Sequence, residues 1–329
     1  MSDGLGDSGA GGPESAVSAL EPGEVDLVLE GGGVKGIALV GAIALLEERG
    51  FSFSRVAGTS AGAIVGSLVA AGMKSPELYD LMIAVDYTRF CDETPTGHLP
   101  LVGKGFAIFL DHGMYKGDYF HGWIREHLGG LGVRTFSDLA RPDPAGELSV
   151  EERYRLVVMA SDISRGRLLR LPWDYSRDGL DPGAQVVADA VRASMSIPFF
   201  YRPVLLEVAN SEPSTLVDGA MLSNFPVGVF DRVDGRPSRW PTLGIKLSAR
   251  QKPHQVEHVV KGEVSLAMAM LGTMQSWSDH VHLDDPAVTA RTIFVDTLGV
   301  NATDFAIGRA KREELYEQGR AAAERFLAG

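Results

Sequence analysis

Val25-Asp26-Leu27-Val28-Leu29-Glu30-Gly31-Gly32-Gly33-Val34-Lys35-Gly36 runs a short apolar stretch into three consecutive glycines. Beyond it, Ile37, Val40, Ile43, Ala44, Leu45 and Leu46 recur at helical spacing, so the segment predicts a strand, a tight glycine turn and a helix over 34–48. Gly50 stands where a glycine commonly ends a helix. Residues 55–58 then predict a second short strand and 61–71 an apolar helix rich in Ala, Val and Ile. Strand, helix, strand, helix at this spacing indicates a parallel sheet layered with helices.

Outward from that core the same alternation continues. Helices are expected at 76–85, 115–128, 184–193, 256–281 and 304–327, and strands at 154–160, 168–171, 216–218, 242–247 and 292–295. The stretch 92–113 is rich in Gly and Pro, and Arg141-Pro142-Asp143-Pro144-Ala145-Gly146 is a surface loop. Residues 1–23 carry few bulky apolar side chains and are expected to form a flexible tail. With no repeat or linker after them, 24–329 is expected to be a single domain.

The chain has 329 residues, 45% hydrophobic and 22% charged, an ordinary globular composition. Its net charge of -12 argues against nucleic acid as a partner and against attachment to anionic lipid through a basic patch. A lipid would have to be reached through apolar contacts. Cys91 is the single cysteine, so no internal disulfide can form, and no nearby motif activates it as a thiol. The N-terminus lacks the basic start and apolar core of a signal peptide, and no run approaches the ~18 apolar residues of a membrane span. A cytoplasmic protein, at most peripheral to a membrane, is the expectation.

Gly58-Thr59-Ser60-Ala61-Gly62 is a G-x-S-x-G between a predicted strand and a predicted helix. A nucleophile must project from a sharp turn, and the helix N-terminus favours the anion that forms on it. A serine in this position can also be a plain helix cap. The glycine loop admits two interpretations. Its clustered backbone N–H groups could hold a tetrahedral oxyanion, but Gly31, Gly33 and Gly36 also satisfy the dinucleotide pattern G-x-G-x-x-G. The carboxylate a nucleotide binder carries at the end of its second strand is absent, because Ser60 stands there. Lys35 does not complete a phosphate-binding G-x-x-x-x-G-K-[ST].

A serine nucleophile needs a base. None of the histidines, at 98, 112, 121, 127, 254, 258, 280 and 282, sits at an obvious strand end. Asp218 does, in Leu216-Val217-Asp218-Gly219-Ala220, where it is expected to meet Ser60 from a neighbouring strand; a turn aspartate capping its own loop is the plainer alternative.

Taken in order, these elements resemble the patatin-like phospholipases. Residues 31–36 are similar to that family's G-G-G-x-[KR]-G oxyanion motif, 58–62 to its nucleophile motif, 218–220 to its D-G-[AG] motif, and Ala193-Ser194-Met195-Ser196-Ile197-Pro198 to its A-S-x-S-x-P stretch. The similarity covers most of 25–228, and beyond about 230 only the general layout corresponds. The resemblance implies a three-layer α/β/α fold around a central mainly parallel sheet and the hydrolysis of phospholipid or other fatty-acyl esters without cofactor or metal. Ser60 would attack the ester carbonyl and Asp218 would take its proton with no histidine. The amides of Gly32 and Gly33 would hold the oxyanion, with Gly31, Lys35 and Gly36 in the same loop. Gly58 and Gly62 would shape the elbow, and Gly219 and Ala220 the loop of the base. Ser194, Ser196 and Pro198 would shape the site.

Two rivals remain at this point. An α/β-hydrolase triad would add His254 or His258 in the order Ser, Asp, His, although Ser60 follows only the second strand, early for that fold. A regulatory or lipid-binding protein could carry the same fold with a silent site. Leu99-Pro100-Leu101-Val102 and Phe106-Ala107-Ile108-Phe109-Leu110, within 92–115, would suit a lid or lipid-facing edge and equally a buried element.

Overall fold

The computed structural model describes residues 21–92, 113–232, 238–247 and 285–329. The first unit is β1 (Glu24–Leu29), α1 (Gly36–Glu48), β2 (Ser52–Thr59) and α2 (Ala61–Ala70), as the opening sequence requires. α3 (Ser75–Ala84) follows, with Pro76 in its first turn, where its missing N–H costs nothing. Then come β3 (Gly113–Tyr115), α4 (Asp118–Gly130), α5 (Val150–Arg153), β4 (Leu156–Asp162), β5 (Arg167–Leu171), α6 (Val187–Ser194), β6 (Phe199–Tyr201), β7 (Val204–Leu206) and β8 (Ser214–Asp218). β9 (Thr242–Lys246), α7 (Pro286–Ala290), β10 (Thr292–Phe294) and α8 (Arg309–Ala328) complete the described chain.

The main sheet has the order β10-β9-β1-β2-β4-β8-β7, with β5 also pairing to β4. From β10 to β4 all pairs are parallel, whereas β5 and β8 run antiparallel to β4 and β7 antiparallel to β8. This mostly parallel sheet, flanked by helices, is the expected three-layer α/β/α arrangement. Every residue of β4 is buried, and so is β1 from Val25 onward, as strands covered on both faces require. α1 is buried from Gly36 to Leu46 because α3 and α8 pack around it, and its near-continuous apolar sequence suits that position.

Several expectations change. Tyr115 is not helical: it ends β3, which pairs with β6, and α4 starts at Asp118 after Gly117 adopts φ 76°. The C-terminal helix starts at Arg309 rather than at 304, which leaves Ala302 and Phe305 in a loop that reaches the site described below. Asp218 and Ser60 do not come from adjacent strands, because β4 lies between β2 and β8. The expected helix at 256–281, the apolar runs at 99–102 and 106–110 and the tail to residue 20 lie outside the described residues. No helix among the described residues is long and apolar enough to cross a membrane.

Candidate active site

The chain turns sharply at Ser60, between the end of β2 and the start of α2. Its backbone has φ 52° and ψ -119°, a region a non-glycine residue occupies only when its surroundings hold it there. The surroundings are two glycines in near contact. A Cβ on Gly58 would lie 2.3 Å from the carbonyl group of Gly62, and a Cβ on Gly62 would lie 2.3 Å from the Leu29 carbonyl oxygen. The motif spacing therefore lets strand and helix approach closely enough to present Ser60 at the end of β2. The Ser60 carbonyl accepts from the amides of Ala63 and Ile64, so α2 begins with its positive end at the serine.

Asp218 arrives from the opposite direction. β8 runs against β4, with Asp218 opposite Ala160, while Thr59 faces Met159 from the other side of β4. A carboxylate and a hydroxyl from strands two positions apart thus reach the same level of the sheet, and the Ser60 hydroxyl lies near enough to the Asp218 carboxyl to lower its pKa. The other carboxyl contact is the Ala220 amide, which donates to Asp218 Oδ1 at 2.8 Å. Gly219 makes the sharp turn possible, since a Cβ there would lie 2.4 Å from the Met159 carbonyl oxygen. Asp218 is 2% exposed. Burial pushes its carboxyl up to about 7, against the lowering effect of the Ala220 amide and the Ser60 hydroxyl.

The glycine loop lies beside Ser60. A Cβ on Gly31 would come within 3.2 Å of the Ser60 Cβ. Gly33 adopts φ 57° and packs so closely on Ala302 that no side chain fits, and the Val34 amide donates to the Ala302 carbonyl at 3.0 Å. The Gly31 amide is engaged, donating to the Asn224 carbonyl at 3.2 Å, while no acceptor among the described residues takes the amides of Gly32 or Gly33. The Lys35 amide turns back to Gly32 O at 3.2 Å and Gly36 opens α1, so these two residues shape the loop from its far side.

Beneath the loop lies a buried ion pair that motif reading passes over. Glu30 and Lys246 bond directly, the Leu247 amide donates to the same carboxylate, and Asn224 Nδ2 reaches Glu30 Oε1 at 3.2 Å. Leu247 covers Gly32, where an added Cβ would lie 2.4 Å from its side chain. Glu30 stood in the quoted stretch, but its partners come from β9 and from the segment after Asp218, too distant in sequence for spacing to reveal.

Ser194 and Ser196 touch Ser60 and Asp218 through different atoms. Ser194 Oγ accepts from the Ser60 amide at 3.0 Å and donates to the Met159 carbonyl at 2.6 Å. The Ser196 carbonyl accepts from the Asp218 amide at 2.9 Å. Pro198 follows and turns the chain into β6.

A family model described as patatin-like phospholipase matches residues 27–231. The chain belongs to the patatin-like phospholipase family. Among its relatives the Bacillus subtilis protein YqhO, uncharacterized, is 37% identical over 304 residues, covering 92% of this chain and 98% of YqhO. Lysophospholipase nte1 of Neurospora crassa is 54% identical over 46 residues, which are 14% of this chain and 3% of that enzyme. Of solved structures, VipD from Legionella pneumophila superposes with a TM-score of 0.53 at 20% identity, covering 94% of this chain and 67% of VipD, a likeness of fold. The family model ends at Asp231, so β9, β10 and α8 lie beyond it although β9 carries Lys246 beneath the glycine loop.

A narrow apolar cleft, partly open to solvent, is lined by Ser60 and Gly33. Met82, Tyr87, Phe90, Trp123, Tyr201 and Phe305 form its walls. These side chains come from α3, the 3-10 turn that follows it, α4, β6 and the loop before α8, and no local motif announces them. The described histidines lie elsewhere: His121 pairs with Asp189 at 2.7 Å and His127 with the Trp123 carbonyl at 2.7 Å. His254 and His258, on which the triad alternative turned, are outside the described residues.

Proposed function

We propose that this patatin-like phospholipase hydrolyses fatty-acyl esters through Ser60 and Asp218 by way of an acyl-enzyme. The observation that carries the proposal is that Ser60 lines an apolar cleft while its hydroxyl acts directly on the buried Asp218 carboxyl. The short resemblance to lysophospholipase nte1 supports a lipid ester as substrate.

In the first half-reaction Ser60 Oγ attacks the ester carbonyl carbon and its proton passes to Asp218. The carbonyl oxygen becomes an oxyanion held by the Gly32 and Gly33 amides, with the N-terminus of α2 adding favourable field. Asp218 returns the proton to the departing alcohol oxygen as the C–O bond breaks, which leaves the acyl group on Ser60. In the second half-reaction Asp218 takes a proton from water, the resulting hydroxide attacks the acyl carbon, and Ser60 leaves as its proton comes back from Asp218. A carboxyl with a pKa near 7 can both accept and return a proton at neutral pH, which an ordinary aspartate near 4 cannot do as evenly.

The acyl chain lies in the cleft between Met82, Trp123 and Phe305, where aliphatic and aromatic walls exclude water. With a net charge of -12, contact with a lipid surface relies on apolar side chains, and Phe199 and Leu222, 37% and 39% exposed, flank the segments that hold the dyad. Hydrolysis of soluble esters and of phospholipid vesicles by wild type, Ser60→Ala and Asp218→Asn tests the proposal. Loss of both activities in both variants is expected, and unchanged turnover in either one defeats it.

A further inference from the structure

Arg192 has an unusual position for an arginine. It lies in the last turn of α6, 7% exposed, with no carboxylate among the described residues within ion-pair distance. Its guanidinium instead donates to oxygens from three separate segments. Nε reaches the Gly117 carbonyl at 3.1 Å, Nη2 reaches the Arg202 carbonyl at 3.1 Å and also the Lys116 carbonyl, and Nη1 reaches Ser196 Oγ. The fit is close: a Cβ on Gly117 would lie 2.5 Å from the guanidinium carbon. Burying a cation without a counter-ion is costly, and burial lowers this guanidinium's pKa, so the cluster of carbonyls is the compensation.

One of the residues Arg192 holds, Ser196, belongs to the segment that contacts both Ser60 and Asp218. Ser196 accepts the Asp218 amide on its carbonyl, and two residues earlier Ser194 accepts the Ser60 amide on its hydroxyl. One segment of five residues, 192–196, therefore sets the distance between the two strand ends that β4 keeps apart. We infer that Arg192 is a positioning residue: by fixing Ser196, and with it the end of α6, it holds Asp218 beside Ser60. The inference rests on the proposed Ser60–Asp218 chemistry.

The effect passes through the backbone and not through charge. The Asp218 carboxyl responds to burial, to the Ala220 amide and to the Ser60 hydroxyl, and no charged group among the described residues acts on it. The groups that act on Arg192 itself are Tyr201, Asp92 and Asp118. Weakening the brace would then act by moving the Ser60 hydroxyl away from Asp218. Since that hydroxyl lowers the Asp218 carboxyl, its retreat moves the acid limb of the pH–rate profile upward.

The experiment compares wild type, Arg192→Met, Arg192→Lys, Gly117→Ala and Ser196→Ala in the full chain on a soluble acyl ester. The concentration of competent sites is counted by fluorophosphonate labelling of Ser60, and the quantities compared are kcat per labelled site and the acid limb. Arg192→Met and Gly117→Ala are expected to lose at least about tenfold in kcat per labelled site and to move the acid limb to higher pH. Arg192→Lys recovers part of both, since a lysine reaches fewer of the oxygens. Ser196→Ala keeps the carbonyl bonded to Asp218 but removes its link to Arg192, so it shifts both quantities in the same direction by less. A purely structural role would lower the melting temperature and the number of labelled sites while leaving kcat per site and the acid limb at wild-type values, and that result overturns the inference. Should Arg192→Met not fold, Ser196→Ala and Gly117→Ala decide by the same two readouts. Ser60→Ala is run alongside: if it keeps activity, the dyad has failed, whereas a dead Ser60→Ala beside unaltered brace variants means that only the brace has failed.

Discussion

Asp218 meets Ser60 across a strand to which neither belongs. Thr59 faces Met159 on one side of β4, Asp218 faces Ala160 on the other, and the two side chains converge at the edge where β2 ends and the antiparallel β8 arrives. Burial at that convergence raises the carboxyl to about 7, and the raised value governs how the protein should respond to pH.

Activity should fall on the acid side with an apparent pKa near 7, since only the ionised carboxyl can take the Ser60 proton. A kcat/KM profile on a soluble ester measures this. A limb near 4, as for an unperturbed aspartate, would mean that Asp218 is not the group being titrated.

Stability should show the same group with the opposite benefit. The carboxyl titrates near 4 in the unfolded chain and near 7 in the folded one, so the folded state binds the extra proton between those values. Its contribution is fully present below about pH 4 and is lost as pH rises through about 7. Asp218→Asn has no charge to bury. Its melting temperature should match wild type at low pH, pull ahead as pH rises to about 7 and hold that lead above it, by some 5–10 °C on the order of a few kcal/mol. A variant less stable than wild type at pH 8 would count against a strained, buried carboxylate.

How much of this was legible in the sequence varies by element. The unit from β1 to α2 could be read because each turn is made by glycines whose reason is local: Gly58 and Gly62 nearly touch, and their spacing alone reports it. That Asp218 comes near Ser60 could be anticipated but not its route, since a five-residue strand does not reveal whether it runs with its neighbours or against them. The cleft was out of reach. Tyr87, Trp123, Tyr201 and Phe305 are scattered aromatics that only tertiary packing assembles. Tyr115 was misplaced because the helical spacing of α4 extends smoothly back through Gly117, and the left-handed turn there stops the helix for the sake of the Arg192 contact.

The glycine pair at the elbow should tolerate nothing larger. Gly58→Ala and Gly62→Ala each force a carbon to within 2.3 Å of backbone, so strand and helix must separate and the Ser60 turn relaxes. Soluble yield and kcat are expected to collapse together, with a cost above about 3 kcal/mol. A folded, active Gly62→Ala would show that the close approach is dispensable.

The ion pair beneath the glycine loop gives a separate handle. Glu30→Gln leaves the buried Lys246 ammonium facing a neutral group and should cost about 3–5 kcal/mol, a fall in melting temperature on the order of 10 °C. Glu30→Gln combined with Lys246→Met should recover much of the loss. Thermal denaturation of the single and double variants checks both statements.

Trp123 limits the cleft from the α4 side, so Trp123→Ala should favour longer acyl chains. With about 0.8 kcal/mol available for each newly buried methylene, the ratio of kcat/KM for a twelve-carbon over a four-carbon ester should rise at least about tenfold. An unchanged ratio would place the acyl chain elsewhere.

The central claim is that Asp218 activates Ser60. The rate at which a fluorophosphonate forms an adduct, with the modified residue located by peptide mass, tests it most directly in wild type and Asp218→Asn. The dyad predicts a single adduct on Ser60 that forms at least about 100-fold more slowly in the variant. An adduct on a different residue, or equal rates in the two proteins, would contradict it.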